Sequence, residues 1–202
     1  MRKKIGVIVS GRGSNLQSII DHITEGKLDV EVAVVVSDHA DAFALERAAK
    51  AGIATVVVER KGCRDKEEFE DKIDAALRNA GAELVVLAGF MRILTGHFIS
   101  RWEHKIINIH PALLPSFKGL DAQGQAVDYG VKVAGCTVHF VDEGTDTGPI
   151  ILQKVVPVMD EDTEETLAAR ILVEEHKALP EAIRLWSEGK LSIKGRKVFV
   201  GK

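Results

Sequence analysis

The sequence predicts an α/β fold with a mostly parallel sheet, an antiparallel C-terminal part and helices on both faces of the sheet. Short apolar runs rich in valine and isoleucine alternate with amphipathic segments through the first half of the chain. This alternation is typical of parallel strands joined by helical crossovers. Later, two apolar runs at residues 136–141 and 150–156 follow each other with only a loop between them. Such direct succession favours antiparallel pairing.

Each element follows from a local pattern of this kind. The remaining predicted strands cover residues 5–9, 30–36, 54–58, 84–88 and 105–109. The predicted helices cover residues 16–23, 42–51, 66–79, 98–102, 123–129 and 163–177. Pro180 either kinks the last helix or begins a second one that ends at Glu188. A small hairpin is expected at residues 192–200, and we expect one domain in all.

Composition and charge exclude several classes of protein. The 202 residues include 27 Lys and Arg against 30 Asp and Glu, a net charge of −3, which argues against a protein that coats nucleic acid. Cys63 and Cys136 form no CxxC motif and fit a reducing compartment. No run reaches the roughly 18 apolar residues of a membrane span, and no signal peptide is recognisable. We therefore expect a cytoplasmic protein.

A glycine-rich loop joins the first predicted strand to the first predicted helix. Residues 10–16 read SGRGSNL, and the free amides of a helix start, at the positive end of its dipole, attract anions. Ser14 and Gln17 have the spacing of a capping box. The loop lacks the GxxxxGK[ST] of a P-loop, and Leu16 stands where a dinucleotide fingerprint has its third glycine. A mononucleotide-type phosphate is therefore favoured over NAD, and a tight turn without a ligand is the alternative.

Two polar residues in an otherwise apolar strand carry the strongest chemical signal. Asn108 and His110 lie two residues apart in the run KIINIHP, so both side chains leave the same face. Pro111 cannot donate to a sheet and should end the strand. In open α/β sheets, ligands bind beyond the carboxyl ends of the strands. The pair therefore predicts a site, and two satisfied core residues are the alternative.

Three acidic residues follow the predicted strand at residues 136–141. Asp142, Glu143 and Asp146 lie in a glycine-rich loop, where each one taken alone would suit a turn or solvent. The pattern does not bring this loop to His110, and His139 is a weaker candidate on an alternating strand. No histidine pair has the spacing of HExxH, so we expect no bound metal.

Four sequence blocks together resemble a known family. GRGSNLQ at residues 11–17, LAGFMRIL at 87–94, NIHPALLP at 108–115 and DTGPI at 146–150 occur in this order. The chain closely resembles the folate-dependent formyltransferases along essentially its whole length. NIHPALLP is shared across that group, whereas GSNLQ and AGFMRIL are more particular to the enzymes that act on glycinamide ribonucleotide.

The resemblance implies a Rossmann-like formyltransferase fold and a reaction. One domain would cover residues 1–202, with a nucleotide- and phosphate-binding half at 1–105 and a folate-binding and catalytic half at 106–202. The formyl group of 10-formyltetrahydrofolate, a co-substrate, would pass to the amine of glycinamide ribonucleotide in purine biosynthesis. No metal, nucleic acid or membrane partner is implied. The oligomeric state stays open, a homodimer included.

The resemblance also implies residue roles. The implied catalytic residues are Asn108, His110 and Asp146. The implied phosphate-binding residues are Gly13, Ser14 and Asn15, and Glu175 with Arg170 would meet the glycinamide end. The implied folate-binding residues are Lys66 (with Arg64 as the alternative), Met91, Arg92, Ile93, Leu94 and Asn108. Many relatives carry histidines where this sequence has Asp121 and Gln123, so any supporting role of those histidines is absent or replaced here.

The implied mechanism is direct attack of the amine on the formyl carbon. Asn108 and a protonated His110 would stabilise the negative oxygen of the tetrahedral intermediate. A carboxylate at Asp146 would favour the imidazolium and relay protons.

Other functions remain as alternatives. Within the group these are formylation of initiator methionyl-tRNA or an amino sugar, and hydrolysis of formyl-folate. The tRNA enzymes normally carry a further C-terminal domain and the hydrolases an N-terminal one, and we expect neither. An NAD-dependent oxidoreductase is disfavoured by Leu16. A non-catalytic nucleotide-binding module would explain the glycine loop but not Asn108 with His110.

Overall fold

Strands and helices alternate through the first of two units in the computed structural model, which describes residues 2–201. This first unit ends at Asn108. Its strands are β1 (Lys3–Val9), β2 (Val30–Ser37), β3 (Thr55–Val57), β4 (Leu84–Leu87) and most of β5 (Ile106–His110). Its helices are α1 (Ser14–Thr24), α2 (Phe43–Lys50), α3 (Lys66–Asn79) and α4 (Gly96–Arg101), with a 3₁₀ turn at Arg60–Gly62. The strands pair in parallel in the order β3-β2-β1-β4-β5, which confirms the predicted crossovers.

The core of this unit lies on both faces of its central strands. Five consecutive residues of β1 and all four of β4 are buried. Successive residues of a strand point to opposite faces, so each face is covered. Strands buried on both sides are read in sequence as continuous apolar runs, which is why β1, β2 and β4 could be predicted closely.

Antiparallel pairing appears in the second unit, which begins at Ile109. Its elements are α5 (Ala122–Tyr129), β6 (Val133–Phe140), β7 (Ile150–Pro157), α6 (Glu164–Ser187), β8 (Leu191–Lys194) and β9 (Lys197–Val200). β6 pairs with β7 and β8 with β9 in antiparallel fashion, whereas β7 and β9 are parallel. The antiparallel C-terminal part is thus confirmed, and α6 packs on β6 and β7.

Of the two alternatives at Pro180, a second helix that begins there is wrong. α6 runs without a break to Ser187 with Pro180 inside it. A proline removes one helical hydrogen bond and costs roughly 3 kcal/mol. Here the same stretch buries Leu179, Ala182 and Ile183 completely, and burying a large aliphatic side chain contributes about 1.5–3 kcal/mol. Burial on both sides of the proline therefore outweighs the lost bond.

The predicted capping box at Ser14 and Gln17 is also wrong. Gly13 is the N-cap of α1, with φ of 69°, and no side chain caps this helix. A Cβ on Gly13 would lie 2.5 Å from the Cβ of Ala44, and the Ala44 amide donates to the Gly11 carbonyl at 3.1 Å. Because α2 packs so closely on the loop, the cap is set by a tertiary contact that a local pattern does not reveal.

The remaining expectations concern membrane spans, the number of domains and the location of the protein. No helix within residues 2–201 is long and apolar enough to cross a membrane. The single domain and the cytoplasmic location stay predictions.

Candidate active site

The glycine-rich loop of the first unit borders a cavity of about 250 Å³. Residues 10–15 line it together with His39, Ala88, Gly89 and Met91. Gly13, Ser14 and Asn15, the predicted phosphate-binding residues, therefore lie together on its wall. The first amides of α1 have no partner within the helix, so the loop offers donors for an anion.

Hydrogen bonds fix the shape of this loop. The Ser10 amide donates to the Gly89 carbonyl at 3.1 Å, and the Met91 amide donates to Ser10 Oγ at 3.0 Å. On the other side, Arg47 Nε donates to the Arg12 carbonyl at 2.9 Å. The loop is thus tied to the segment after β4 and to α2, so its amides are held in place before any ligand binds.

In the second unit, His110 ends β5 with its side chain buried. Its Nε2 lies 2.8 Å from the carbonyl oxygen of Phe117. A carbonyl oxygen only accepts hydrogen bonds, so Nε2 carries a hydrogen. Its Nδ1 lies 3.4 Å from Asp146 Oδ2. Both ring nitrogens of His110 therefore face acceptors, the Phe117 carbonyl on one side and the Asp146 carboxylate on the other.

Asp146 is the acid that the structure brings to His110. It has a positive φ of 52°, and its Oδ2 accepts a hydrogen bond from the Gly119 amide at 2.8 Å. Burial alone would raise the pKa of this carboxyl. The His139 ring, the Gly119 amide and the charge of His110 outweigh burial and hold the pKa below its usual value. The group is therefore a carboxylate at neutral pH.

His139 is a buried residue of β6 that sequence reasoning ranked too low. Its Nε2 lies 3.7 Å from Asp146 Oδ1, while its Nδ1 lies 2.9 Å from the Phe140 carbonyl. Asp146 thus has one histidine near each of its oxygens. Alternation along β6 placed His139 on one face, but only folding of the following loop brings Asp146 back toward it.

The other acids of that loop have different roles. Asp142 Oδ1 accepts hydrogen bonds from Thr147 Oγ1 at 2.5 Å and from the Gly144 amide at 3.2 Å, which is a turn-forming role. Gly148 lies so near the Phe140 carbonyl that a Cβ would be 1.7 Å from that oxygen. The loop between β6 and β7 therefore depends on a glycine at this position.

Two buried polar side chains anchor the proline-rich loop that follows His110. Thr137 Oγ1 donates to the Ala112 carbonyl at 2.6 Å and accepts from the Leu114 amide at 3.1 Å. Gln153 Nε2 donates to the Leu114 carbonyl at 3.0 Å and to Thr137 Oγ1 at 2.9 Å. Backbone groups of an irregular segment are thus satisfied by β6 and β7, which fixes the chain between His110 and Phe117.

Comparison with known proteins decides the family. A family model described as formyl transferase matches residues 3–183. The chain belongs to the formyl transferase family. Phosphoribosylglycinamide formyltransferase from Haemophilus influenzae is 41% identical over 98% of this chain and 93% of that protein. A crystal structure of glycinamide ribonucleotide transformylase 1 from Symbiobacterium toebii has 50% identity and a TM-score of 0.98, covering 100% of this chain and 95% of that chain.

The family also includes much longer proteins. Human trifunctional purine biosynthetic protein adenosine-3 is 45% identical over 95% of this chain, which spans only 19% of the length of that protein.

The predicted folate-binding residues of this formyltransferase differ in their exposure. Met91 and Ile93 are 66% and 62% exposed, whereas Leu94 is buried. The Arg92 guanidinium pairs with Asp38 at 2.5 Å and lies 5.5 Å from the centre of the Phe69 ring. Met91 and Ile93 thus present two exposed apolar side chains on the loop that follows β4.

The two cations considered near the folate lie at the start of α3. Lys66 is the first residue of this helix and is exposed. Arg64 donates through Nε to Glu68 at 3.0 Å. A folate contact for either residue stays a prediction.

The residues predicted to meet the glycinamide end lie on α6. Glu175 is 7% exposed. Arg170 donates twice to Asp162, at 2.6 and 2.9 Å, and once to the Pro157 carbonyl at 2.9 Å. Through these bonds Arg170 stabilises the start of α6. Its contact with the substrate stays a prediction.

Asp121, one of the two positions at which the family resemblance implies a histidine, is the N-cap of α5. Its φ is 55°, and its side chain accepts from the Gly124 amide at 3.2 Å. Within residues 2–201 no group of three His, Cys, Asp or Glu side chains is arranged to hold a metal, and independence from metals stays a prediction.

Proposed function

We propose that this chain transfers the formyl group of 10-formyltetrahydrofolate to the amine of glycinamide ribonucleotide in purine biosynthesis. The observation that carries the proposal is the buried pair of His110 and Asp146 at the end of β5, with His110 Nδ1 3.4 Å from Asp146 Oδ2, in a chain of the formyl transferase family. A non-catalytic nucleotide-binding module has no need of a buried histidine held by a carboxylate.

Binding of the ribonucleotide would begin at the glycine-rich loop. The amides of Gly13, Ser14 and Asn15 would receive the phosphate, since residues 10–15 line a cavity at the positive end of α1. Exposed Met91 and Ile93 offer apolar surface to the flat ring of the folate, with Arg92, Leu94 and either Lys66 or Arg64 as the further folate contacts. Glu175 and Arg170 remain the proposed contacts of the glycinamide end.

The chemical step requires stabilisation of a negative oxygen. As the amine nitrogen bonds to the formyl carbon, the carbonyl electron pair moves to oxygen. Nε2–H of His110, directed at the Phe117 carbonyl, would take this oxygen as its acceptor instead. Asn108, two residues earlier on the same strand, would supply a second donor from the same face. Preorganised donors of this kind contribute about 10²–10³ in rate each.

Collapse of the intermediate breaks the bond between the formyl carbon and the folate nitrogen. The departing nitrogen must gain a proton, and the attacking amine must lose one. His110 would donate the first proton and recover the second, which balances the reaction. Asp146, kept ionised by its surroundings, would stabilise the imidazolium and assist the proton relay. His139, near the other carboxylate oxygen, would hold Asp146 in place.

A two-substrate assay tests this function. Purified protein is given glycinamide ribonucleotide and 10-formyltetrahydrofolate, and the absorbance of deformylated folate is followed together with formation of formylated ribonucleotide. We expect both products in equal amounts, and neither without the ribonucleotide. Deformylated folate produced without ribonucleotide would identify a hydrolase, and no reaction with both substrates would contradict the proposal.

A further inference from the structure

His39 stands beside the glycine-rich loop, in the segment that follows β2. Its side chain is 52% exposed, and the residue lines the same cavity as residues 10–15. The loop brings backbone amides and the Arg12 side chain to this cavity, and His39 adds a second ionisable side chain from a different segment. Neither its position in the sequence nor the family blocks single it out.

The backbone of His39 is held in place by a buried serine. Ser37, which is fully buried, donates through Oγ to the His39 carbonyl at 2.8 Å and accepts from the His39 amide at 3.1 Å. The His39 side chain is therefore half exposed on a backbone that is already fixed. Because that backbone needs no further ordering, it loses little conformational freedom when a ligand binds.

A buried carboxylate lies behind the imidazole. Asp38 Oδ2 is 3.5 Å from His39 Nε2, and the Asp38 side chain is only 1% exposed. Within residues 2–201 the other oxygen of this carboxylate, Oδ1, is buried and has no hydrogen-bond partner. The oxygen that faces the ring is Oδ2, which also accepts from Arg92 Nε, so a hydrogen on Nε2 would point toward a negatively charged oxygen. With Nε2 facing Asp38, Nδ1 is left as the second donor of an imidazolium.

The charges around the His39 ring favour the binding of an anion. Asp38 is already balanced by Arg92 at 2.5 Å, and Arg12 lines the cavity as well. A proton on His39 therefore leaves the group of Asp38, Arg92 and His39 with a net positive charge beside the loop. A phosphate monoester carries about −1.5 to −2 charges at pH 7.

We infer that His39 is a specificity-determining residue that contacts the phosphate of the ribonucleotide as an imidazolium positioned by Asp38. This inference rests on the proposed function, because it assigns a side chain to the proposed phosphate site. A contact made by an imidazolium is lost when the ring is deprotonated. Affinity for the phosphorylated substrate therefore falls as the pH rises.

The test compares three proteins between pH 7.0 and 8.5, where the phosphate stays dianionic. In His39→Asn we expect KM for glycinamide ribonucleotide to rise about 5- to 10-fold at pH 7 with kcat unchanged, as for one lost charge-assisted contact. His39→Lys keeps a permanent charge, so it should bind like the wild type at pH 7 and lose the pH dependence that His39 causes. The matched control is His104→Asn, an exposed site with φ of 56° that asparagine tolerates.

Competitive inhibition separates the phosphate from the rest of the substrate. The inhibition constant of ribose 5-phosphate should rise in His39→Asn by the same factor as KM. Unchanged KM and inhibition constant in His39→Asn, or a lysine variant as weak as the asparagine variant, would overturn the inference and leave the proposed function standing. Failure of the wild-type protein to formylate glycinamide ribonucleotide would instead refute the proposed function itself.

Discussion

The glycine-rich loop and the His110 site use different parts of the chain for binding. Around the cavity at residues 10–15 the donors are mainly backbone amides, fixed by bonds of Ser10 and Arg47. At the His110 site the groups are side chains, drawn from β5, β6 and the following loop. The backbone site depends on main-chain conformation, above all at Gly13 with its positive φ, whereas the side-chain site depends on the residue type at each position.

The largest expected effect concerns the side-chain site. We expect His110→Asn and Asp146→Asn each to lower kcat by about 10²–10³, because the first removes the group that would donate to the developing oxygen anion and relay the protons, and the second removes the carboxylate that would assist it. KM for the ribonucleotide should change little, since its phosphate is proposed to bind elsewhere. Steady-state kinetics with both substrates measures the two quantities separately. A variant that kept near wild-type kcat would remove its residue from the proposed mechanism.

A substitution at the backbone site should act by distorting the main chain rather than by removing a chemical group. Gly13→Ala forces a side chain into a positive φ and against Ala44, 2.5 Å away. The left-handed conformation costs about 1–2 kcal/mol, and overpacking adds about 1–3 kcal/mol. We expect a loss of about 2–5 kcal/mol in the free energy of unfolding, measured in urea, together with a raised KM for the ribonucleotide.

A second glycine provides the control for this loss. Gly26 has a φ of 71° and no heavy atom within 4 Å of a built Cβ. Gly26→Ala should therefore cost only the conformational part, about 1–2 kcal/mol, with KM unchanged. Equal losses at the two glycines would mean that the contact with Ala44 does not constrain the loop.

A smaller effect is expected at the anchor of the proline-rich loop. Thr137→Val keeps the shape of the side chain but leaves the Ala112 carbonyl and the Leu114 amide without this partner. A buried polar group without its partner costs about 1–3 kcal/mol. Thr24→Val, which removes an exposed bond to the Ile20 carbonyl, should cost less than about 0.5 kcal/mol. Thermal unfolding of both variants tests the difference, and equal shifts would count against an anchoring role.

The smallest effect is a change of stability with pH at Asp146. Its pKa in the folded state lies below the usual value, which is about 3.9 for a free aspartate. The ionised carboxylate therefore contributes stability above about pH 4 and loses that contribution as the pH falls through its folded-state pKa. The difference in unfolding free energy between wild type and Asp146→Asn should shrink from pH 6 to pH 3. A difference that stays constant over this range would contradict the role of the charge.

Local patterns could predict the positions of some of these residues in the fold but not their long-range contacts. The loop between β1 and α1, and the pair at Asn108 and His110, could be inferred from apolar runs and strand alternation alone. The N-cap of α1 at Gly13 could not be inferred in this way, because it depends on the contact with Ala44 in another helix. The extension of α6 through Pro180 depends on burial against β6 and β7, which a rule about proline ignores.

The partners of His110 show most clearly that local patterns do not predict long-range contacts. The loop contains three acidic residues that could each be the partner of His110, and only the family resemblance favours Asp146. His139 is a weaker candidate from sequence because it stands there only as one position of an alternating strand. Contacts between residues far apart in the chain follow from how the loop between β6 and β7 folds, and that loop depends on Gly148 beside the Phe140 carbonyl.

The central claim is that His110 and Asp146 act as one catalytic unit. It is tested most directly by kcat of formyl transfer in His110→Asn, Asp146→Asn and the double variant, at saturating substrates. Residues that act as a unit show strongly non-additive losses, so we predict that the double variant loses about as much as the worse single variant. Losses that multiply in the double variant would show two independent contributions and contradict the account.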